Sequence, residues 1–183
     1  ALSCKDFTAT IAATVNEVEP EFSEAVAREK YKTIGTFTTN TTSNQKRNTN
    51  IKLATQAING IVLQPGEEFS FNNRVGERTE AKGYQGAAAY NNGEVVQEIG
   101  GGVCQVSSTL YQVAFRSGMN ITYRRSHTFE PNYVTPGQDA AISWAVRTAN
   151  FVTIPVRPLV SAQAITIRPV PYPFTEFRFW MKA

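Results

Sequence analysis

Apolar residues recur at helical spacing in one early stretch, where Ile51, Ala54, Ile58 and Ile61 follow three or four positions apart. That pattern predicts a helix over 48–62, closed by the breaker pair Pro65-Gly66. An earlier helix is expected over 19–31, with Pro20 near its start, where a missing N–H costs nothing, and acidic residues in the same turn. A third is expected over 104–117, with Val103, Val106, Leu110 and Val113 as its apolar face and Gly118 as its stop. Residues 40–50 are polar and read as a loop. Strands are expected at 33–39, 67–71, 121–125, 140–147, 151–157 and 163–170. A hairpin is expected to join 84–90 to 94–98 around Asn91-Asn92-Gly93. The Pro-rich run 169–173 then leads into a possible edge strand over 176–181.

Helices in front and strands behind make this an α+β chain, a single domain with two or three helices packed on a mainly antiparallel sheet. The expected organisation is a helical extension over 1–32, a main domain over 33–170 and a C-terminal tail over 171–183. Composition fits that picture: of 183 residues, 42% are apolar and 18% charged, enough for a hydrophobic core and too little charge for long disorder. The net charge of +3 is spread along the chain, which argues against a nucleic-acid partner. It is compatible with an anionic polymer such as a cell wall.

No apolar run approaches the ~18 residues that span a bilayer, so no transmembrane segment is expected. The first residues lack the basic start and long apolar stretch of a signal peptide. Ala1-Leu2-Ser3-Cys4 loosely resembles a lipoprotein cleavage site, although an arbitrary boundary is the better reading. Two cysteines and one histidine fall short of the four ligands of a structural zinc site, and no metal or other cofactor is expected. A Cys4–Cys104 disulfide is conceivable in an oxidising compartment, but the surroundings of Cys104 suggest another use.

Those surroundings are Gly100-Gly101-Gly102-Val103-Cys104. Three glycines let the backbone turn sharply and let another group come close. A cysteine in the first turn of a helix faces unsatisfied N–H groups and the positive end of the helix dipole, a position that favours the nucleophilic thiolate. The same N–H groups suit a developing oxyanion. Cys104, Ser107, Ser108 and Tyr111 lie off the apolar face, so the thiol need not point into the core. The alternative is Cys104 as a small buried hydrophobe.

A cysteine nucleophile needs a base, and His127 is the chain's one histidine, placed after an expected strand. Arg124 and Arg125 beside it are either carboxylate or phosphate clamps or solvated surface residues. Asp139 is the first candidate to orient the imidazole, and Glu130 the second; a backbone carbonyl is the third possibility.

Taken together, these blocks resemble the VanW family. The matching stretches are Asn48-Thr49-Asn50-Ile51-Lys52-Leu53-Ala54, Asn59-Gly60, Pro65-Gly66-Glu67-Glu68-Phe69-Ser70-Phe71-Asn72 with Val75-Gly76, and Lys82-Gly83-Tyr84. They continue through the glycine–cysteine block to Tyr111, then Arg125-Ser126-His127 and Gly137-Gln138-Asp139-Ala140. After Trp144 the chain departs from the family's Asp-plus-aromatic pattern and carries Ala145-Val146-Arg147 instead.

The resemblance implies a protein of the Gram-positive cell envelope, extracytoplasmic and either wall-associated or membrane-anchored. For some members it implies L,D-transpeptidase activity, which makes 3-3 cross-links between peptidoglycan stem peptides. Carried over, Cys104 is the nucleophile and His127 its partner; Asp139 joins them as the expected third catalytic member on the reading of the residues above. Gly101, Gly102, Tyr84, Ser107, Ser108, Arg125 and Tyr133 are the expected substrate-binding residues. Tyr84, Tyr111 and Tyr133 would wall a cleft that limits water. The alternatives are a non-catalytic wall-binding or glycopeptide-resistance accessory module, and a cysteine peptidase or amidase acting on the same stems.

Overall fold

The computed structural model describes residues 31–64, 66–91, 94–144, 153–155, 165–170 and 174–182. The helix expected over 19–31 lies outside them except for Tyr31, which opens a strand rather than closing a helix. That strand, β1 (Tyr31–Asn40), is rich in Thr and aromatic residues that suit a pleated surface.

Helix α1 (Gln45–Ile58) starts three residues earlier than the apolar spacing predicts and stops four earlier. Both shifts have local causes. Asn44 caps the start by accepting a hydrogen bond from Arg47 N at 3.0 Å, so the polar residues 45–47 form the first turn instead of a loop. At the other end Asn59 turns extended and Gly60 takes a φ of 74°, which leaves Ile61 beyond the helix. Short strands β2 (Val62–Leu63) and β3 (Glu68–Ser70) follow. The sequence pattern misses helix α2 (Phe71–Val75), a single turn capped by Ser70 Oγ, which accepts from Asn73 N at 3.3 Å.

A 3-10 turn over Glu80–Lys82 leads to the expected hairpin of β4 (Gly86–Asn91) and β5 (Glu94–Ile99). Helix α3 (Val103–Arg116) is the apolar helix of the sequence pattern, and Val103, Val106, Leu110 and Val113 are all buried. They meet Ile51, Ala54 and Ile58 of α1, with Phe69, Phe71, Val75, Tyr84, Met119 and Ala140, in one core. Gly35 of β1 lets α3 lie close, because a Cβ there would collide with Ser117 Oγ and come within 3.1 Å of the Val113 carbonyl.

The last strands are β6 (Thr153–Pro155), β7 (Ile165–Val170) and β8 (Phe174–Lys182). The largest sheet is antiparallel in the order β1-β8-β7-β2, and two smaller pairs are β3-β6 and β4-β5. β8 is therefore hydrogen-bonded on both flanks, an interior strand rather than the edge strand expected for the tail. Its partner β1 lies at the far end of the described chain, and no local pattern announces such a pairing. The described residues thus form a small α+β domain with three helices and a small antiparallel sheet.

Two expected strands are not strands. Over 121–125 there is a lone bridge at Tyr123, and 140–144 forms no ladder and bends at Trp144; 145–147 lies outside the described residues. One backbone bond joins the two segments, from Ala141 N to Arg125 O at 2.8 Å. Side chains bond Asp139 O, Ala140 N, Ala140 O and Ser143 O, groups that a ladder would have used in a strand.

Asn50 ties α1 to the turn before α3. It is fully buried; its Nδ2 donates to Gln85 O at 2.8 Å and Gly101 O at 3.0 Å, and its Oδ1 accepts from Gln85 N at 2.8 Å. Asn50→Ala leaves Gln85 N and Gly101 O without partners inside the protein, whereas Gln85 O keeps the hydrogen bond from Gly100 N at 3.2 Å. At about 1–3 kcal/mol for each of the two unsatisfied groups, partly relieved by relaxation, the expected loss is about 2–4 kcal/mol, read from the urea unfolding midpoint.

Candidate active site

The site begins at the glycine turn. Gly100 and Gly102 adopt φ of 90° and 101°, a region closed to most side chains. Gly101 between them is buried against β4, and a Cβ there would run into the carbonyl of Ala87, with that carbon 2.6 Å away. Gly102 is the N-cap residue of α3 and offers no side chain to cap the first turn. Cys104 is the second residue of the helix, where its own N–H has no carbonyl within the helix to bond.

Cys104 is a half-buried free thiol, and Cys4 lies outside the described residues. Its Sγ donates to Ile142 O at 3.6 Å. Ser107 and Ser108, one turn further on, are fully buried. Ser107 Oγ donates to Ala140 O at 2.6 Å, while Ser108 Oγ donates to Cys104 O at 2.7 Å and accepts from Ala140 N at 2.9 Å. Both hydroxyls are consumed in docking the segment 139–142 onto the helix. They are not substrate-facing groups, contrary to the expectation from their place off the apolar face: a second layer of chain covers that face too.

That docked segment delivers Asp139. Its carboxylate is buried, and each oxygen has its own partner. Oδ1 takes Arg124 Nη2 at 2.8 Å. Oδ2 lies 2.6 Å from both the backbone N and the Nδ1 of His127. Arg124 also donates Nε to Asp139 O at 2.7 Å and Nη2 to Gly137 O at 3.0 Å, and lies over the Tyr111 ring with 5.4 Å to its centroid. With Nδ1 committed to Asp139, the ring nitrogen left to serve Cys104 is Nε2. In the resting geometry Cys104 points its hydrogen bond at Ile142 O, and a bond of strict geometry to the imidazole is not formed, as is common before substrate binds. Glu130, the second candidate for orienting the ring, is exposed and takes no part.

Electrostatics agree with the geometry. Burial alone opposes a charge on His127, but the neighbouring Cys104 sulfur and the Asp139 carboxylate outweigh it and raise the imidazole above its ordinary 6.5. Burial alone would raise the Asp139 carboxyl, yet the His127 N–H and imidazole hold it below its ordinary 3.8.

The remaining expected residues divide. Tyr84 is buried, and its phenol is pushed up by that burial; with Lys46, Glu80, Gly83, Gln85 and Gly86 it lines a shallow open groove of about 420 Å³. Tyr133 is half-buried; its phenol is pushed up by burial and by the nearby Cys104, although Ser108 pulls the other way. Its Oη is enclosed and makes no hydrogen bond of strict geometry. The Arg125 side chain is exposed, and its neighbour Arg124 is the arginine that enters the site.

Two further arginines escaped sequence reading. Arg47 packs its Cγ against Gly102, where a Cβ would be 2.7 Å away, and sits over the Tyr133 ring with 5.9 Å to its centroid. Arg78 packs against Gly100 and over Trp144. Neither belongs to a recognisable spacing; only the fold brings them to the glycine turn. Among the described residues, no group of three His, Cys, Asp or Glu side chains could hold a metal ion, and no helix is long and apolar enough to cross a membrane.

The α+β fold thus sets a half-buried thiol in the first turn of α3 and, near it, an imidazole held by a buried carboxylate. Sequence comparison places that arrangement in a family. The profile of the family described as VanW like protein matches residues 46–164, and the chain belongs to the VanW family. The chain is 45% identical over 123 residues to the uncharacterized protein YoaR of Bacillus subtilis (strain 168), covering 67% of this chain and 41% of that protein. It is 35% identical over 99 residues to the vancomycin B-type resistance protein VanW of Enterococcus faecalis (strain ATCC 700802 / V583), covering 51% of this chain and 36% of that one. The matched regions thus span less than half of either relative. No solved structure matches.

Two measurements test the site as a structure. The raised His127 pKa means that its charged state stabilises the fold below pH 6.5 and that this contribution is lost as pH climbs through the raised value. The lowered Asp139 pKa gives a contribution that is present above pH 3.8 and lost as pH falls through the lowered value. Asp139→Asn should therefore cost most stability between those limits. It should also lower the His127 pKa in an imidazole proton titration, which this single-histidine chain makes unambiguous; an unmoved titration would show the pair to be uncoupled.

Tyr133→Phe removes an enclosed hydroxyl that has no partner. Thermal unfolding should show stability unchanged or raised by up to about 1 kcal/mol; a loss larger than that would reveal a hydrogen bond the resting geometry lacks.

Proposed function

We propose that this domain is an L,D-transpeptidase of the cell envelope, acting outside the cytoplasm on peptidoglycan stem peptides through a Cys104 thioester. The observation that carries the reading is the buried Asp139 carboxylate, which fixes His127 by two contacts of 2.6 Å next to a thiol at the start of α3. A purely structural carboxylate would not need to hold both the backbone and the ring of the lone histidine beside the lone described cysteine. Kinship with a vancomycin B-type resistance protein supports peptidoglycan as the polymer concerned.

The chemistry balances without a cofactor. The Cys104 thiolate attacks the carbonyl of the third stem residue, and the carbonyl electrons move onto oxygen. Val103 N and Gln105 N donate to Gly100 O and Gly102 O, so the Cys104 N–H is the first-turn group that would receive the oxyanion. Collapse breaks the amide bond, and imidazolium Nε2 of His127 gives its proton to the departing D-amino acid. The side-chain amine of a neighbouring stem then attacks the thioester, His127 takes its proton, and the thiol is restored as the new amide forms. Asp139 stays ionised and holds the imidazole in the tautomer that exposes Nε2.

Incubation with disaccharide-tetrapeptide, read by mass spectrometry, tests the proposal. A dimer lighter by one D-Ala and one bond formed is the expected product. Accumulation of a plain tripeptide would make the enzyme a hydrolase of the same stems, and unchanged substrate would leave a wall-binding module. Cys104→Ala should abolish product with the fold intact, and His127→Ala should lower turnover by roughly 10²–10⁴-fold.

A further inference from the structure

Arg78 has a role that the acyl-transfer chemistry above does not use. Its guanidinium is anchored along one side: Nη1 donates to Asn72 Oδ1 and to Gly76 O, both at 3.0 Å. Asn72 is itself fixed, buried and donating Nδ2 to Ser143 O at 3.0 Å. The stem of Arg78 lies along the glycine turn, where a Cβ on Gly100 would come within 2.9 Å of Arg78 Cβ and 3.0 Å of its Cγ. The Trp144 ring lies under the guanidinium, with 5.9 Å to its centroid. Position and orientation are thus set before any substrate arrives.

What remains unused is the other side of the fork. Both Nη1 protons are engaged, so Nε–H and the two Nη2 protons are left, and among the described residues none of them has a protein acceptor and no carboxylate pairs with Arg78. Neither atom is sealed from solvent. The Nε/Nη2 edge is one that receives both oxygens of a carboxylate in parallel hydrogen bonds. Burial lowers the Arg78 pKa and the charge of Cys104 opposes this, which places the cation in the field of the reactive sulfur. An arginine remains charged at neutral pH all the same. A half-buried cation without an anion is costly to keep, and a bound anion removes that cost.

We propose that Arg78 is a specificity-determining residue whose free Nε/Nη2 edge binds the terminal carboxylate of the acyl-donor stem, so that the domain accepts peptides ending in a free carboxylate and rejects blocked ones. The inference rests on the acyl-transfer reading and names its donor class: in that reaction the departing D-amino acid carries the chain's terminal carboxylate, adjacent to the bond attacked by Cys104. The same residues explain why α2 and the 142–144 segment are tied together. Asn72 joins the carboxylate-binding arginine to the strip of chain whose Ile142 carbonyl holds the thiol.

The test separates binding from turnover. Cys104→Ala protein is titrated with N-acetyl-L-Ala-γ-D-isoglutaminyl-L-Lys-D-Ala, whose only carboxylate is the terminal one, and with its C-terminal amide. The acid should bind at least roughly tenfold more tightly than the amide. Adding Arg78→Gln should weaken the acid alone and bring the two within about twofold. Equal binding of acid and amide by the protein that retains Arg78, binding of neither, or an acid preference that survives Arg78→Gln would each overturn the proposal. A role confined to holding Asn72 and Trp144 would weaken both peptides alike. Turnover by the unsubstituted protein decides the other question: cross-linking of acid and amide at equal rates would keep the transpeptidase and remove the subsite, whereas acid-selective binding without product would keep the subsite and remove the transpeptidase.

Discussion

The chain through Ala140 lies against α3 without a strand partner to satisfy most of its peptide groups, and two serines on one turn of the helix take that place. The division of labour follows from one proton per hydroxyl. Ser107 spends its proton on Ala140 O, while Ser108 spends its proton on Cys104 O and receives Ala140 N. An unpaired buried peptide group costs about 1–3 kcal/mol, so this docking has essentially one register. Everything chemical in the site depends on that register. It places Asp139 on one side of the contact, beside His127, and Ile142 O on the other, beside the thiol.

The carboxylate of Asp139 then converts position into orientation. A buried anion is costly unless it is well bonded, and Asp139 is bonded by a guanidinium, a peptide N–H and an imidazole. Arg124 is in turn bonded to two carbonyls of the 137–139 turn, so the ring of His127 inherits the rigidity of that loop. Cys104 and His127 sit on two unlike supports. Cys104 rides on a helix pinned through Gly101 and Asn50 to α1 and β4, whereas His127 rides on irregular chain pinned by side chains.

What the sequence disclosed and what it hid follow the same division. Helix α3, its apolar face, the hairpin and the glycine turn depend on neighbours within a few positions, and each is legible from spacing and turn chemistry. So are Cys104, His127 and Asp139 as candidates, because a helix-opening cysteine and a lone histidine are conspicuous. The segments 121–125 and 140–144 carry apolar and β-branched residues that suggest strands, but whether a ladder forms depends on partners, and here serines from α3 claim the hydrogen bonds. The burial of Ser107 and Ser108 was hidden for that reason: helical periodicity locates a face and cannot say how many layers cover it. The interior position of β8 was equally hidden, since it pairs with β1 across nearly the whole chain. Arg47 and Arg78 reach the glycine turn only through the fold, and no spacing advertises them.

Those arginines bear on why the turn contains three glycines when one would make a bend. Gly100 and Gly102 need φ values that side chains resist, which accounts for two positions by backbone alone. The space beside each is also occupied by an arginine stem, Arg78 at Gly100 and Arg47 at Gly102, and any Cβ would displace it. Gly101 faces the opposite way, onto the Ala87 carbonyl, and it is there that the turn is pressed onto the hairpin. The triplet therefore does three separate things. It bends the chain into α3, it seats the turn on β4, and it leaves room for two arginine stems at the start of the helix. Positive charge from the helix start and from Arg78 is thereby gathered at the cysteine by the absence of side chains in the turn itself.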